Sequence, residues 1–275
     1  MPYTLESVQN TMDKLVPPSI ILYGVEKIGK SSFAAKMDTP IFIQTESGLN
    51  NINTAAFPLC KTDTDNDGNV LKSGFEKVLE QLTVLATEYH NYKTVVIDSL
   101  DWLEPLIWDE VCKQTNTYPI ERVDGGFGKG YAMAVEKWKN YFEYLDYLRT
   151  DKGMTVLQIA HSKIKETKSP DSDTYDKFTI KLQDGKNVSA ADKLFEYADV
   201  ILFANYKTNT VKEKIGKDMN RNRAIGTGSR VLYTEERPAF KAGNRYNFPA
   251  EVPFDKDGVC WQTMKKSIPF FNQAG

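Results

Sequence analysis

The apolar run Ser19-Ile-Ile-Leu-Tyr23 leads directly into Gly24-Val25-Glu26-Lys27-Ile28-Gly29-Lys30-Ser31. A G-x-x-x-x-G-K-S octet in that place demands one local architecture: a buried strand, a tight loop of exposed backbone N–H groups, and a helix that starts near the lysine. The glycines let N–H groups close around phosphate oxygens, and the helix turns its positive end toward the same anion. The pattern predicts a site for ATP, with residues Gly24 to Ser32 around the phosphates. Lys30 reaches the β- and γ-phosphates, and Ser31 ligates Mg²⁺. The competing reading is a glycine turn with an exposed lysine, and the strand and helix context weighs against it.

Two further strands end in carboxylates. Tyr92-Lys-Thr-Val-Val-Ile-Asp98-Ser99 reads as a buried parallel strand closing on an aspartate, the place from which a carboxylate holds Mg²⁺ beside the loop serine. Asp98 could instead cap the helix that begins at Leu100-Asp-Trp-Leu. Pro40-Ile-Phe-Ile-Gln-Thr45 ends in Glu46-Ser-Gly48, which sets a second carboxylate at the same sheet edge. Hydrolysis needs a base or orienting group for water, separate from the metal carboxylate, and Glu46 is the candidate. Its alternative is a solvated turn residue before Gly48.

The order of these signals, followed by Val156-Leu-Gln-Ile-Ala-His161, resembles the RecA-type ATPase core within the P-loop NTPase superfamily. More closely, the chain resembles the phage-encoded, Sak-type nucleotide-binding recombination proteins. That likeness rests on Asp98-Ser-Leu-Asp-Trp-Leu, Gly125-Gly-Phe-Gly-Lys-Gly130-Tyr, Ile159-Ala-His161-Ser-Lys and Tyr197-Ala-Asp199-Val-Ile-Leu-Phe, and it covers roughly residues 18 to 250. It implies an α/β fold with a mostly parallel central sheet flanked by helices, with C-terminal β-hairpin additions. It also implies that Glu46 is the hydrolytic base and that Phe240-Lys241-Ala-Gly-Asn-Arg245 supplies Lys241 and Arg245 across a subunit interface. The spacing there departs from the tighter K-x-R of hexameric helicases. Self-association into a filament or ring would bring Arg245 to a neighbour's γ-phosphate.

Other segments bear on the partner. Asp124-Gly-Gly-Phe-Gly-Lys-Gly130 is read as a loop that follows a strand at the catalytic edge and could lay Phe127 and Lys129 on single-stranded DNA. In the RecA-type family the corresponding loop contacts DNA; the alternative tucks Phe127 into the core. Ser162 to about Ala191 is read as a second loop, partly disordered without a partner, with Lys163 and Lys165 as further DNA-contact candidates. His161, between strand and loop, could touch the γ-phosphate and report its loss, or serve as a structural donor. The basic residues between Tyr206 and Arg223 could bind phosphate backbone or simply line a solvated hairpin.

The organisation expected is a lead over residues 1–18, a core over 19–250 and a tail over 251–275, the tail forming a small hairpin and an extended end. Gly74 to His90 and Tyr131 to Arg149 carry helical apolar spacing, with Trp138, Tyr141, Phe142 and Tyr144 as packing aromatics. Asp63-Thr-Asp-Asn-Asp-Gly68 opens like a calcium loop but has Gly74 where the bidentate glutamate belongs, so an acidic surface turn is expected. With a net charge of −2, the 275-residue chain is not a globally basic nucleic-acid binder. No stretch reaches membrane-spanning length and the start lacks signal-peptide features, which predicts a cytoplasmic protein, and the phage resemblance implies the cytoplasm of a bacterial host. The three cysteines, Cys60, Cys112 and Cys260, form no metal or disulfide pattern. A phage single-strand-binding protein is a further candidate partner. Two rival classes stand beside the ATPase: a non-hydrolysing accessory or helicase-loader protein, and a small-molecule P-loop kinase, whose usual arginine-rich lid has no counterpart in these loops.

Overall fold

The computed structural model describes residues 8, 10, 14–169, 172–185, 188–214, 220–255 and 257–272. The chain runs through β1 (Ser19–Gly24), α1 (Lys30–Ala34), β2 (Pro40–Gln44), β3 (Ala55–Ala56), β4 (Asp63–Thr64), β5 (Val70–Lys72), α2 (Gly74–Thr87), β6 (Thr94–Asp98) and α3 (Leu100–Thr115). It continues through α4 (Lys129–Thr150), β7 (Thr155–Ser169), β8 (Ser172–Ile180), α5 (Ala190–Tyr197), β9 (Val200–Lys214), β10 (Asn220–Tyr233), β11 (Gly243–Asn244), β12 (Glu251–Pro253) and α6 (Val259–Lys265).

One mixed sheet carries the fold, in the order β12-β10-β9-β1-β7-β6-β2-β3, with β11 beside β9 and β8 beside β7. The strands from β9 to β3 run parallel, while β8, β10, β11 and β12 pair antiparallel. Every position of β1 and of β6 is buried, as expected of central strands covered on both faces. The expected α/β architecture with a mostly parallel sheet is the one observed.

Helices α2 to α5 cover one face. The helical spacing read for Gly74 to His90 and Tyr131 to Arg149 corresponds to α2 and α4, and Trp138 and Tyr141 are buried against that face. α2 starts at a reciprocal cap: the Ser73 hydroxyl accepts from the Glu76 N–H, and the Glu76 carboxylate accepts from the Ser73 N–H. The other face is covered by α1 and by the C-terminal segment, through Phe33, Phe254, Trp261, Met264 and Ile268. The tail is therefore not a hairpin with an extended end. Asp255 accepts hydrogen bonds from the backbone N–H groups of Asp257, Val259 and Cys260, a turn that opens directly into α6.

Two loop expectations are also corrected. Residues 162–169 continue β7 and residues 172–180 form its antiparallel partner β8, where a loop was expected, because Ile164, Phe178 and Ile180 sit at alternating positions that suit a pleat. The glycine-rich stretch follows no strand: it lies between a 3₁₀ segment, Ile120–Gly125, and α4. Of the lysines in the second loop Lys186, and of the basic residues between Tyr206 and Arg223 Lys217, lie outside the described residues.

Candidate nucleotide-binding site

β1 delivers the phosphate loop at the carboxyl edge of the sheet, flanked by β7 on one side and β9 on the other. Gly24 sits where nothing larger fits, since a Cβ there would lie 2.2 Å from the Ala204 carbonyl oxygen. Gly29 takes φ 110°, a left-handed conformation that favours glycine, and α1 starts at the next residue. That helix has five residues, so its dipole adds little, and the anion cradle rests on the loop N–H groups, Lys30 and Ser31. The Lys30 Nζ is buried and donates to the carbonyls of Gly24 (3.2 Å) and Val25 (3.0 Å). Burial lowers its pKa from the ordinary lysine value, against the opposing pull of Asp98, Asp101, Glu46 and Glu26.

β7 lies between β1 and β6, which brings three strand ends together. Gly24 is in register with His161, Gln44 with Asp98, and Asp98 with Ile159. Thr45 locks β2 to β6: its N–H donates to the Asp98 carbonyl (2.8 Å), its hydroxyl donates to the Ser99 carbonyl (2.6 Å), and that hydroxyl accepts from the Ser99 N–H (2.8 Å). Glu46 follows at once, its N–H 3.3 Å from the same Asp98 carbonyl. The two carboxylates thus hang from a fixed backbone joint.

Lys27, Gly29, Lys30, Ser31, Ser32, Glu46, Ile52, Asp98, Ile159 and His161 line one cleft. Asp98 is 3% exposed and accepts a hydrogen bond from the Ser31 hydroxyl. Burial raises its carboxyl to about 6, with Glu46 adding to the rise and Lys30 and His161 opposing it. A carboxyl held back from ionisation, next to a hydroxyl and beneath a phosphate cradle, fits a hard divalent cation that would restore its charge. Among the described residues no three His, Cys, Asp or Glu side chains cluster as a metal cage.

His161 has a partner that sequence reasoning missed. Its Nδ1 lies 2.9 Å from Asp101 Oδ2, and its backbone N–H donates to Asp101 Oδ1 at 2.9 Å. The hydrogen bond to Asp101 raises the imidazole pKa despite burial. For Asp101 burial pushes upward, but the His161 ring and backbone bonds outweigh it and hold the carboxyl below its ordinary value. The available signal was an acid in the first turn of the helix that follows Asp98. A second missed residue, Arg230 on β10, donates from Nη1 to the Ile28 carbonyl (2.8 Å) within the phosphate loop. Nothing in the local sequence links two residues 202 positions apart.

Other candidates stand elsewhere. Arg245 pairs with Asp199 (3.0 Å), which also binds Arg149 and the N–H of Ser19. Ser19 begins β1 whereas the phosphate loop follows its end, so Arg245 lies at the opposite sheet edge from this chain's cleft. Lys241 holds its ammonium over the Phe195 ring at 5.4 Å and does not line the cleft. Phe127 is fully exposed, which rules out the core-tucked alternative, and Lys129 pairs with Asp124 (3.0 Å). Lys163 donates to the Leu182 carbonyl and Lys165 pairs with Asp184 (2.7 Å).

Over 147 aligned residues the chain is 30% identical to the SPbeta prophage-derived uncharacterized protein YorG of Bacillus subtilis strain 168. The alignment takes in 52% of this chain and 40% of that protein, so the chain spans well under half of its relative's length. The family model described as an AAA domain matches residues 17–246, the whole stretch from the residues before β1 to the close of the site just described. On that match, and with its phosphate loop seated as the fold requires, this chain belongs to the AAA-domain family of P-loop nucleotide-binding proteins.

Proposed function

We propose that this chain binds and hydrolyses Mg·ATP through a RecA-type core and acts on single-stranded DNA in phage recombination or replication, as a self-associating assembly. The observation that carries the reading is the meeting of Lys30, Glu46, Asp98 and His161 with the phosphate loop in one cleft at the carboxyl edge of a parallel sheet. Lys30 sets its charge against the β- and γ-phosphates. Ser31 and Asp98 would hold Mg²⁺, which when bound supplies charge neutralisation between those phosphate oxygens. Glu46 orients the attacking water and takes its proton. Asp101 fixes the His161 ring through Nδ1 and favours its protonated form, which leaves Nε2 to meet the γ-phosphate.

The glutamate just past β2 and the insertion of β7 between β1 and β6 support the RecA-type reading. A second cleft, lined by Ser32, Ala35, Lys36, Asn51, Ile52 and Asn53, shares Ser32 and Ile52 with the first and supports a nucleoside seat beside the phosphates. For DNA the support is Phe127, displayed on a run in which Asp124, Gly125, Gly126, Phe127 and Gly128 all have positive φ. For the two that are not glycine, Asp124 and Phe127, that region is costly, and a backbone that holds an aromatic ring exposed there suits stacking on bases. Arg245 acts in trans on this reading, with Lys241, in a filament or ring. The phage setting draws on the prophage-derived relative, and a phage single-strand-binding protein would be a natural companion.

The test is Mg-dependent phosphate release from ATP with and without single-stranded DNA, against Lys30→Ala. Release that DNA stimulates and that Lys30→Ala abolishes is expected. Release indifferent to DNA would remove DNA from the reading, and nucleotide binding without release would leave an accessory or loader role.

A further inference from the structure

Past Ala204, β9 leaves β1 and continues to Lys214, paired among the described strands only with β10. The two form an arm beyond the carboxyl edge, and a two-stranded ribbon of that kind has little stability of its own. The pairing register shifts between Gly226 and Arg230, and Gly228 has φ 74° within that irregularity. Such a bulge bends a ribbon and gives it a local pivot.

Arg230 stands on the body side of the pivot, opposite Tyr206 of β9. Its guanidinium crosses to the phosphate loop, donating to the Ile28 carbonyl, and its Nη1 lies 2.8 Å from where a Gly29 Cβ would be. The same guanidinium lies 5.6 Å from the centre of the Phe254 ring, which packs on Phe33 of α1. Its backbone carbonyl accepts from the Phe254 N–H at 3.0 Å. Arg230 is thus held by the C-terminal segment through Phe254 and reaches the phosphate loop at Ile28.

We propose that Arg230 is a positioning residue that ties the state of the phosphate loop to the setting of the β9–β10 arm, so that nucleotide at residues 24–31 orders the arm. The inference rests on the nucleotide reading above. A guanidinium has five N–H donors in a fixed fork, and one goes to the loop carbonyl, so a shift of that carbonyl moves the base of the ribbon beside its bulge. The arm carries Lys207, Lys212, Lys214, Arg221 and Arg223 in its sequence. Against Glu213 in the same sequence this leaves an excess of positive charge, whose setting would then depend on nucleotide.

Amide hydrogen exchange on the full chain, with and without a saturating non-hydrolysable Mg·ATP analogue, tests this. In the wild type, analogue slows exchange at residues 24–31 and also at 205–214 and 220–226, by roughly threefold or more. In Arg230→Ala the protection of 24–31 is retained at saturation while the arm no longer responds. Arg230→Lys, which keeps the charge and the stem but lacks the fork, restores part of the response and covers the case in which the alanine variant folds poorly. An arm that responds in Arg230→Ala as in the wild type would overturn the proposal, as would a wild-type arm that ignores nucleotide while 24–31 is protected. A wild type whose residues 24–31 gain no protection would fail the nucleotide reading itself, and the coupling with it.

Discussion

The His161–Asp101 pair sets how the cleft answers to pH. Asp101 holds its partner's ring through Nδ1 and its backbone through the N–H, two bonds from one carboxylate. The imidazole pKa is raised above the ordinary 6.5, so its share of stability is complete below 6.5 and is lost as pH rises through the folded value. The Asp101 pKa is depressed below 3.8, so its share is complete above 3.8 and is lost as pH falls through its folded value. Between those limits both members are charged and the pair contributes most. Asp101→Asn is expected to move the His161 midpoint downward in an NMR titration; a midpoint that stays put would mean that Asp101 does not govern the ring. His161 itself was legible from its place at a strand end, but Asp101 was not. Its role depends on α3 turning back over β7, and the sequence of Leu100-Asp-Trp-Leu reads equally as an ordinary first turn with a favourable acid.

Among the elements, α3 and the segment after β8 are joined by a buried carboxylate. Glu104 is 5% exposed and accepts the Gln183 N–H at 3.0 and 2.9 Å through its two oxygens. Burial raises its carboxyl from 4.5 to about 7. The folded chain therefore binds more protons there than the unfolded chain between those values, and stability falls as pH rises across that window. Glu104→Gln keeps an acceptor for Gln183 without the charge, so its denaturation midpoint should depend less on pH from 4.5 to about 7 than that of the wild type. Equal pH dependence in both would contradict the assignment. α6 offers a plain packing prediction: Trp261 is 1% exposed within the second core, and Trp261→Ala should cost about 4 kcal/mol in urea denaturation.

The elements that could be read in advance are those with one strong period. β1, β2 and β6 are continuous apolar runs, and α2 and α4 repeat apolar residues at helical spacing. The elements that escaped are those in which lysines and acids interrupt the alternation. In β7 and β8 the charged side chains pair along and beyond the ribbon, as Lys165 does with Asp184 and Lys177 with Glu236, so a charge-rich sequence still forms a hairpin. α6 escaped because Asp255-Lys-Asp-Gly258 has turn composition, while the turn held by its first carboxylate opens directly into a helix.

At the scale of the whole molecule, one sheet does two jobs. Its parallel strands bring the phosphate loop, Glu46, Asp98 and His161 to a single edge, and its antiparallel strands carry an arm past that edge. The C-terminal segment, in covering α1, fixes the face from which the phosphate loop is supported, so the tail belongs to the same body as the cleft. Residues far apart in sequence, such as Ile28 and Arg230, meet only because β9 lies next to β1, and no reading of local pattern finds them. Among the described residues no helix is long and apolar enough to cross a membrane. On the proposed function, this edge hydrolyses a nucleoside triphosphate with Glu46 as the water-orienting group. That role is tested most directly by phosphate release from saturating Mg·ATP in Glu46→Gln, with nucleotide affinity measured on the same sample. Affinity close to that of the wild type, with release lower by about 100-fold or more, is expected; undiminished release with retained binding would remove Glu46 from that role.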